Sequence, residues 1–394
     1  MRLSHPASAL LLILAVAGAG FIFNYLYRAL TGTHIDAQVY QAAGQAWLSG
    51  EPLYGPAFTS STGLSAFIYP PFAALVFALL APLPPMVVVL LLQVGTYVAL
   101  WLINFMILRR AGQPLSVVWL CFFVCCVFHP VRILSELGQV DILLLCLVVA
   151  DVCGFLPRWA RGLGVGLAAG FKLSPAFFGM IFLVRAQWAA VFRSALAFFA
   201  TVLGTALLNP AYSKAFWLGH MNDVAVVNPV LYFRNQSLRG FLARSGLPES
   251  TADSISTPIF VAFLLVALIG VFLLRHERSY TLSLLLVCLC IYVGSPIANV
   301  HNWVGVILFA PLLWEAKTLL PKTIIFFFIC VYALSFNRGP ATLSSSPGAQ
   351  DYFLWLWNNL TCLAGRGGGG GGGGVALLVV AFAQSRRPRL STNA

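Results

Sequence analysis

The sequence predicts an all-α protein that crosses a membrane about twelve times as a single integral membrane domain, residues 1–394. Hydrophobic residues make up 60% of the chain, charged residues only 9%, and the mean hydropathy is +0.90. A soluble domain carries roughly 25% charged residues, so this chain has too few to cover its surface against water. The composition therefore excludes a set of soluble domains.

Twelve apolar runs, several of them shorter than the roughly 20 residues that a helical span needs, follow one another along the chain. They are 7–23, 67–80, 86–108, 115–128, 140–156, 163–184, 188–208, 258–274, 281–296, 303–313, 323–336 and 352–383. The first run lacks a convincing small-residue cleavage site, so we interpret it as a retained helix and not as a removed signal peptide.

Charge placement predicts the orientation. The net charge of +12 does not indicate nucleic-acid binding, because the cations form short clusters between apolar runs, as the positive-inside rule describes. The protein is predicted to lie in the plasma membrane with both termini in the cytoplasm. The loops predicted to lie outside are 31–66, 209–257, 297–302 and 337–351. The arginines between 128 and 188 do not all fall on one predicted side, so the topology of 67–208 stays open.

Several kinds of chemistry are excluded or disfavoured. The nine cysteines nearly all lie inside apolar runs, where they behave as small hydrophobic residues, and none is paired with histidine at a metal-ligand spacing. There is no Asp-x-Asp pair and no Walker A motif. We therefore expect no metal and no cofactor, and, if the protein is a transferase, a donor other than a cytosolic nucleotide-sugar.

The first outer loop, 31–66, holds the best catalytic candidate. It contains no Lys or Arg, and Thr33-His34-Ile35-Asp36 has the pattern of a capping box with Thr33 as N-cap. Apolar residues then recur at helical spacing, which predicts an amphipathic helix in the membrane interface. Asp36 either caps this helix or acts as a general base, since an apolar surface raises the proton affinity of a carboxylate.

Four other polar features have a functional and a structural interpretation. Gln139 opens a span and either binds a sugar hydroxyl or starts the helix. Lys172 lies near the middle of an apolar run and either binds phosphate or extends to the interface. The segment 235–239 either contacts an anionic lipid phosphate or is a solvated loop, and His301 at the outer end of a span is either catalytic or structural.

These residues lie in short motifs that together resemble glycosyltransferase family 87, a family with the GT-C fold. The motifs are Asp36-Ala37-Gln38-Val39-Tyr40, Gly50-Glu51-Pro52-Leu53-Tyr54, Tyr69-Pro70-Pro71-Phe72, Gly138-Gln139-Val140, Lys172-Leu173-Ser174-Pro175, Asn235-Gln236-Ser237-Leu238 and His301-Asn302-Trp303. They occur in the family's order over residues 30–315.

The resemblance implies inverting transfer of mannose from a polyprenyl-phosphate donor to a glycolipid of the phosphatidylinositol mannoside or lipomannan type, at the outer membrane face. Asp36 corresponds to the family's base and His301 to a histidine near the active site. The residues expected to contact substrate are Tyr40, Tyr69, Gln139, Lys172, Asn235, Gln236 and Arg239. Of these, Lys172 or Arg239 would stabilise the leaving phosphate without a metal.

Two alternatives remain open at this point. The sugar could be arabinose, since related members transfer it from a polyprenyl-phosphate donor. A protein of another class, a transporter or flippase of a lipid-linked sugar, would also need cations within the membrane. The sequence lacks two similar halves with paired broken helices, which argues against a transporter. The run of eight glycines at 367–374 is given no function.

Overall fold

The computed structural model describes residues 34–221, 230–232, 234–276 and 280–333, together with the isolated positions 20, 23 and 27. The predicted span 352–383, the predicted loop 337–351, the glycine run 367–374, Thr33 and most of the predicted span 7–23 lie outside the described residues.

The described ranges are all-helical, which confirms the predicted fold class. The α-helices are α1 (Ile35–Ser49), α2 (Gly55–Thr62), α3 (Pro71–Phe77), α4 (Pro85–Arg110), α5 (Leu115–Cys126), α6 (His129–Leu137), α7 (Asp141–Val152), α8 (Leu163–Phe171), α9 (Gly179–Val184), α10 (Trp188–Leu208), α11 (Pro210–Ala215), α12 (Leu238–Arg244), α13 (Glu249–Leu273), α14 (Thr281–Gly294), α15 (Phe309–Glu315) and α16 (Leu319–Ala333). Ser174–Phe178 and Val300–Leu308 are 3-10 helices, and Phe216–His220 is a π-helix.

Three of these helices are long and apolar enough to cross a membrane, namely α4, α10 and α13. The helices α5 and α6 meet at a bend of 70° and would make a fourth span if they act as one. The bounds of α10 agree with the predicted run 188–208, and α4 extends the predicted run 86–108 by a few residues at its ends. A total of about twelve spans stays a prediction.

The predicted span 163–184 is broken in the structure. The backbone of Lys172 is extended (φ −146°, ψ 130°) and ends α8, and a 3-10 helix with Pro175 near its start separates α8 from α9. Apolar content alone does not reveal this break, although Pro175 within the run is a signal for one. The break places Lys172 at a helix end, where its side chain can turn toward polar partners.

Glycines let α8 pack closely on α10. A Cβ atom on Gly162 or Gly166 would collide with the carbonyl oxygens of Ala190 and Ser194, and one on Gly170 would collide with the side chain of Thr201. Small residues spaced by four are a common means of bringing two membrane helices together. This contact fixes the position of α8 and hence of Lys172 at its end.

We therefore expect Gly166→Ala to lower the stability of the protein by roughly 1–3 kcal/mol, as overpacking of a close interface generally does. Gly204→Ala on α10 is the matched control, because a Cβ there meets nothing within 4 Å. Thermal unfolding midpoints in detergent should fall for Gly166→Ala and not for Gly204→Ala. Equal midpoints would show that the α8–α10 contact is not tight.

The α7–α8 turn is fixed by a buried aspartate. Asp151, whose side chain is 0% exposed, accepts hydrogen bonds from the backbone N–H groups of Gly162 at 2.7 Å and Val165 at 2.9 Å. It thereby satisfies amide groups at the start of α8 that have no partner within that helix. Since α7 and α8 are consecutive and in contact, the start of α7 at Asp141 meets the end of α8 at Lys172.

Helix α1 differs from the predicted capping box. It begins at Ile35, and its N-cap is His34 in the left-handed conformation (φ 34°, ψ 55°) with no capping hydrogen bond from its side chain. Asp36 is thus the second residue of the helix and not the third. Val39 and Ala46 of the predicted apolar stripe are buried, whereas Ile35 is 43% exposed. Placement of α1 in the membrane interface stays a prediction.

Candidate active site

A cavity of about 730 Å³ lies where α1, α7, α8 and α14 approach one another. Its wall contains six of the nine predicted site residues, which are Asp36, Tyr40, Tyr69, Gln139, Lys172 and His301. These residues come from distant parts of the chain, so the helical fold brings the predicted motifs together in one place.

The side chain of Asp36 points at Gln139. The amide nitrogen of Gln139 (Nε2) donates a hydrogen bond of 2.7 Å to Oδ2 of Asp36. The preceding residue, Gly138, has a φ of +74°, and a Cβ there would lie 2.8 Å from that of Ala37. Glycine at this position therefore lets the α6–α7 loop approach α1 closely enough for Gln139 to reach the carboxylate.

Two tyrosines hold the other end of the same amide. The hydroxyl of Tyr40 donates to Oε1 of Gln139 at 2.8 Å, and the hydroxyl of Tyr69 lies 3.1 Å from that oxygen and 3.0 Å from the Tyr40 hydroxyl. Tyr40 stacks on Phe77 with ring centroids 4.4 Å apart, and Tyr54 donates to the backbone carbonyl of Tyr69 at 2.9 Å. Both tyrosines are therefore fixed by contacts away from the cavity.

Burial raises the pKa of Asp36 from 3.8 to about 6. The hydrogen bond from Gln139 lowers this pKa, the charge of Asp141 raises it, and the charges of Lys172 and Arg234 lower it, but burial has the largest effect. A carboxylate with a pKa near the working pH is suited to accept a proton and release it again. The environment of Asp36 thus supports the general-base interpretation over a capping role alone.

His301 faces the same polar cluster. Its Nε2 lies 3.5 Å from Nε2 of Gln139, and burial lowers the pKa of His301 to about 4. The imidazole is therefore neutral near pH 7 and can take part in hydrogen bonds without adding positive charge. Its position is set by a capping box in which Oδ1 of Asn302 accepts the backbone N–H of Asn299 at 2.9 Å.

Lys172 forms an ion pair within the cavity wall. Its Nζ lies 2.6 Å from Oδ1 of Asp141, and the side chains of Lys172 and Asp141 are 24% and 8% exposed. The second oxygen of Asp141 accepts a hydrogen bond of 3.1 Å from Nδ2 of Asn302. This pair was not predicted from the sequence, although a lysine in an apolar run predicts a nearby acid partner.

Three predicted residues do not line the cavity. Asn235 and Gln236 are buried behind its wall. Oδ1 of Asn235 accepts the backbone N–H groups of Ser237 at 3.2 Å and Ala298 at 3.0 Å. Arg239 is ion-paired with Asp253 and Glu249 of α13.

The neighbouring Arg234 does line the cavity and was not singled out from the sequence. It adjoins an antiparallel bridge between Asn235 and Asn299, two residues before His301. The sequence signal that could have identified Arg234 is its position next to the Asn235 motif. Its place in the cavity wall depends on the bridge to Asn299, which the local sequence does not reveal.

Comparison with known proteins identifies the family of this chain. The model of glycosyltransferase family 87 matches residues 67–297. The chain is 31% identical over 297 residues to a polyprenol-phosphate-mannose-dependent alpha-(1-2)-phosphatidylinositol mannoside mannosyltransferase of Mycolicibacterium smegmatis, which covers 68% of this chain and 67% of that protein.

Two further relatives have similar names. A polyprenol-phosphate-mannose-dependent alpha-(1-2)-phosphatidylinositol pentamannoside mannosyltransferase of Mycolicibacterium smegmatis is 32% identical over 286 residues, covering 69% of this chain and 67% of that protein. A phosphatidylinositol mannoside mannosyltransferase of Mycobacterium tuberculosis, with the same dependence and linkage as the first relative, is 29% identical over 318 residues, covering 75% and 73%. The chain therefore belongs to glycosyltransferase family 87 and is a membrane glycosyltransferase.

Proposed function

We propose that this chain transfers a mannosyl residue, with inversion, from a polyprenyl-phosphate donor to a hydroxyl of a phosphatidylinositol mannoside-type glycolipid. The observation that carries the proposal is the Asp36 carboxylate, which lines a cavity large enough for a sugar and has a pKa raised to about 6. The names of the relatives supply the donor, the acceptor and the sugar.

The chemistry is a single displacement with Asp36 as general base. Asp36 removes the proton of the acceptor hydroxyl, and that oxygen attacks the anomeric carbon of the donor from the face opposite the phosphate. The bond between this carbon and the phosphate oxygen breaks, and polyprenyl phosphate leaves with the bonding electrons. A β-linked donor thus gives an α-linked product, which agrees with the alpha linkage in the names of the relatives.

The cavity wall offers positive charge for the phosphate. Lys172 and Arg234 both line it, and a fixed cation there would stabilise the leaving group in a site that excludes water. The positive charge of Lys172 is partly neutralised by its ion pair with Asp141. Arg234 would therefore supply additional positive charge for the phosphate. Arg239 is left out of the proposed site, because it is paired with acids on α13 away from the cavity.

An apolar part of the same cavity suits a lipid-borne substrate. Residues of α7, the 3-10 helix before α9, α13 and α14 form it, among them Leu144, Leu145, Val148, Phe177, Phe260 and Ile291. Prenyl or acyl groups buried against such a surface gain about 0.8 kcal/mol for each CH₂ removed from water. The polar cluster around Asp36 and this apolar wall would bind the two ends of a glycolipid substrate.

We further propose that the protein is multi-pass and that the Asp36 cavity faces outside. Gln41 of α1 donates to the carbonyl of Leu83 at 2.6 Å, just before α4, and α4 ends at Arg109 and Arg110 after about 39 Å of helix. Further arginines gather at that far end, where Arg161 donates to the hydroxyl of Tyr280 at 3.3 Å. By the positive-inside rule this end is cytoplasmic, as we propose for both termini.

The sidedness can be tested by cysteine labelling in intact cells. Glu51 and Ala111 are both exposed. Glu51 follows α1, which contacts the segment just before α4, and Ala111 follows the far end of α4. We expect a membrane-impermeant maleimide to label Glu51→Cys in intact cells and Ala111→Cys only after permeabilisation, each measured against the parent chain. The reverse pattern would place the cavity on the cytoplasmic side.

The transfer reaction can be tested with membranes that contain the protein, radiolabelled polyprenyl-phosphate-mannose and purified phosphatidylinositol mannosides. We expect label to move to a larger glycolipid with an α linkage in the wild type and not in Asp36→Asn. Transfer only from polyprenyl-phosphate-arabinose would change the proposed sugar and keep the base. No transfer from either donor would overturn the proposed function and favour a transporter.

A further inference from the structure

We propose that Gln139 is a positioning residue that holds the Asp36 carboxylate toward the acceptor, and that Tyr40 and Tyr69 fix the orientation of the Gln139 amide. This inference rests on the proposed role of Asp36 as the base. It assigns to Gln139 a role other than the sugar contact expected from the sequence.

Both ends of the Gln139 amide are occupied within the protein. Its nitrogen donates to Oδ2 of Asp36 at 2.7 Å, and its oxygen accepts from Tyr40 at 2.8 Å and lies 3.1 Å from the Tyr69 hydroxyl. The side chain of Gln139 is 6% exposed. Few hydrogen-bonding positions of Gln139 therefore remain for a sugar hydroxyl. Because Gln139 binds Oδ2 of Asp36, Oδ1 is the oxygen that can take the acceptor's proton.

The hydrogen-bonding pattern fixes which way the amide points. An ionised carboxylate only accepts hydrogen bonds, and a tyrosine hydroxyl carries one proton that needs an acceptor. If the amide were rotated by 180°, its oxygen would face the carboxylate and its NH₂ group would face the two hydroxyls. That arrangement repels the charge on Asp36, so the two tyrosines hold the amide in the orientation that favours the base.

A donated hydrogen bond favours the charged form of the carboxylate, which burial disfavours. The charged groups that face Asp36 are Asp141 of α7, Lys172 at the end of α8 and Arg234, while His301 is neutral. Replacing Gln139 leaves the three charged groups in place and removes only the 3.5 Å contact with His301. Removing the donor should therefore raise the pKa of Asp36 and leave less of the base ionised at pH 7.

The experiment compares pH profiles of wild type, Gln139→Met, Gln139→Glu and the double variant Tyr40→Phe/Tyr69→Phe. Two readouts are used on the full-length protein. One is the turnover number and KM with labelled polyprenyl-phosphate-mannose. The other is modification of Asp36 by a hydrophobic carbodiimide, which reacts with protonated carboxyl groups, followed by peptide mass spectrometry.

We expect Gln139→Met to shift the midpoints of the activity profile and of the modification profile upward by about one pH unit or more. Turnover at pH 7 should fall about twofold or more, because less of the base is ionised, with KM little changed. Gln139→Glu should shift both midpoints further, because it places a second carboxyl beside the first. The tyrosine double variant should shift them upward as well, and adding Gln139→Met to it should give little further change.

Gln93→Met is the matched control. Gln93 is a buried glutamine that donates to the backbone carbonyl of Ser135 and does not line the cavity. Its replacement should lower stability and leave both midpoints where they are. A shift in Gln93→Met equal to that in Gln139→Met would overturn the inference, because any buried change would then act alike.

The remaining outcomes separate this inference from the proposed function. An unmoved modification midpoint in Gln139→Met and Gln139→Glu would overturn the positioning role. A raised KM with an unmoved midpoint would overturn it too and restore the sugar contact. Absence of transfer in the wild type would overturn the proposed function, whereas a shifted carbodiimide midpoint would still support the action of Gln139 on Asp36.

Discussion

Replacement of Asp36 by Asn should lower the turnover number at least a hundredfold and leave the protein folded. A positioned general base contributes roughly 10²–10⁴ to the rate of a reaction, and an amide cannot take the proton of the acceptor hydroxyl. Asn keeps the volume of the side chain and an oxygen that can accept the hydrogen bond from Gln139. Donor binding should therefore change little.

The direction in which Asp36→Asn changes the stability of the protein follows from the pKa of Asp36. Because the pKa of Asp36 is raised to about 6 in the folded protein, the folded state binds more protons than the unfolded state between about pH 4 and pH 6. The stability contributed by Asp36 is thus largest at low pH and is lost as the pH rises through 6. At pH 7 the buried, ionised carboxylate lowers the stability of the folded state. Asp36→Asn should therefore unfold at the same temperature as the wild type or at a higher one.

Two measurements check this prediction, namely transfer of labelled mannose at saturating donor and the thermal midpoint in detergent. Glu51→Gln serves as the control, since Glu51 is an exposed acid in the same predicted outer loop and does not line the cavity. Wild-type turnover in Asp36→Asn would rule out Asp36 as the base. Loss of activity with a lowered midpoint would point to a folding defect.

Lys172→Met should destabilise the protein by roughly 3 kcal/mol and reduce transfer. Removing one partner of a buried ion pair leaves an uncompensated charge, which typically costs 3–5 kcal/mol. The lower end applies here, because the remaining carboxylate of Asp141, although only 8% exposed, keeps its hydrogen bond from Asn302. The cavity also loses one of its cations, so transfer should fall by roughly a hundredfold if Lys172 stabilises the leaving phosphate.

The double variant Lys172→Met/Asp141→Asn separates these two effects. It removes both charges and keeps an amide oxygen that can accept the hydrogen bond from Asn302. We expect the thermal midpoint to recover most of the loss seen in Lys172→Met, while transfer stays low. A double variant as unstable as the single one would show that the ion pair is not what Lys172 contributes to stability.

The sequence predicts the parts of this protein that depend on local pattern. The long apolar runs that became α4 and α10 were located within a few residues, because a hydrophobic stretch of that length has few other stable structures in a membrane. The break at Lys172 was missed, since it depends on an extended backbone and on the Asp141 contact from another helix. Apolar content alone does not distinguish one span from two short helices.

The candidate site was likewise predicted only in part. Asp36 was found from its place in the first outer loop, and six predicted residues meet in one cavity. The predicted outer loop 209–257 stays a prediction, and its last residues belong to α13, which begins at Glu249 and supplies Glu249 and Asp253 as partners of Arg239. The partners in ion pairs between different helices follow from tertiary packing, so the local sequence does not identify them.

The bridge between Asn235 and Asn299 also bears on how the enzyme is made. Within it the backbone N–H of Gln236 donates to the carbonyl of Ala298 at 2.8 Å, and that of Val300 donates to the carbonyl of Arg234 at 2.9 Å. The helices α12, α13 and α14 lie between these two segments along the chain.

During translation, α1 and Gln139 are thus synthesised well before the partner of Asn235 leaves the ribosome. Until Asn299 and Val300 have been added, the backbone pairing between the two segments cannot form, and the wall that carries Arg234 and His301 is incomplete. We therefore expect a chain truncated before residue 299 to lack part of the burial that raises the pKa of Asp36. Such a chain should be a poor catalyst even when its first helices are already in the membrane.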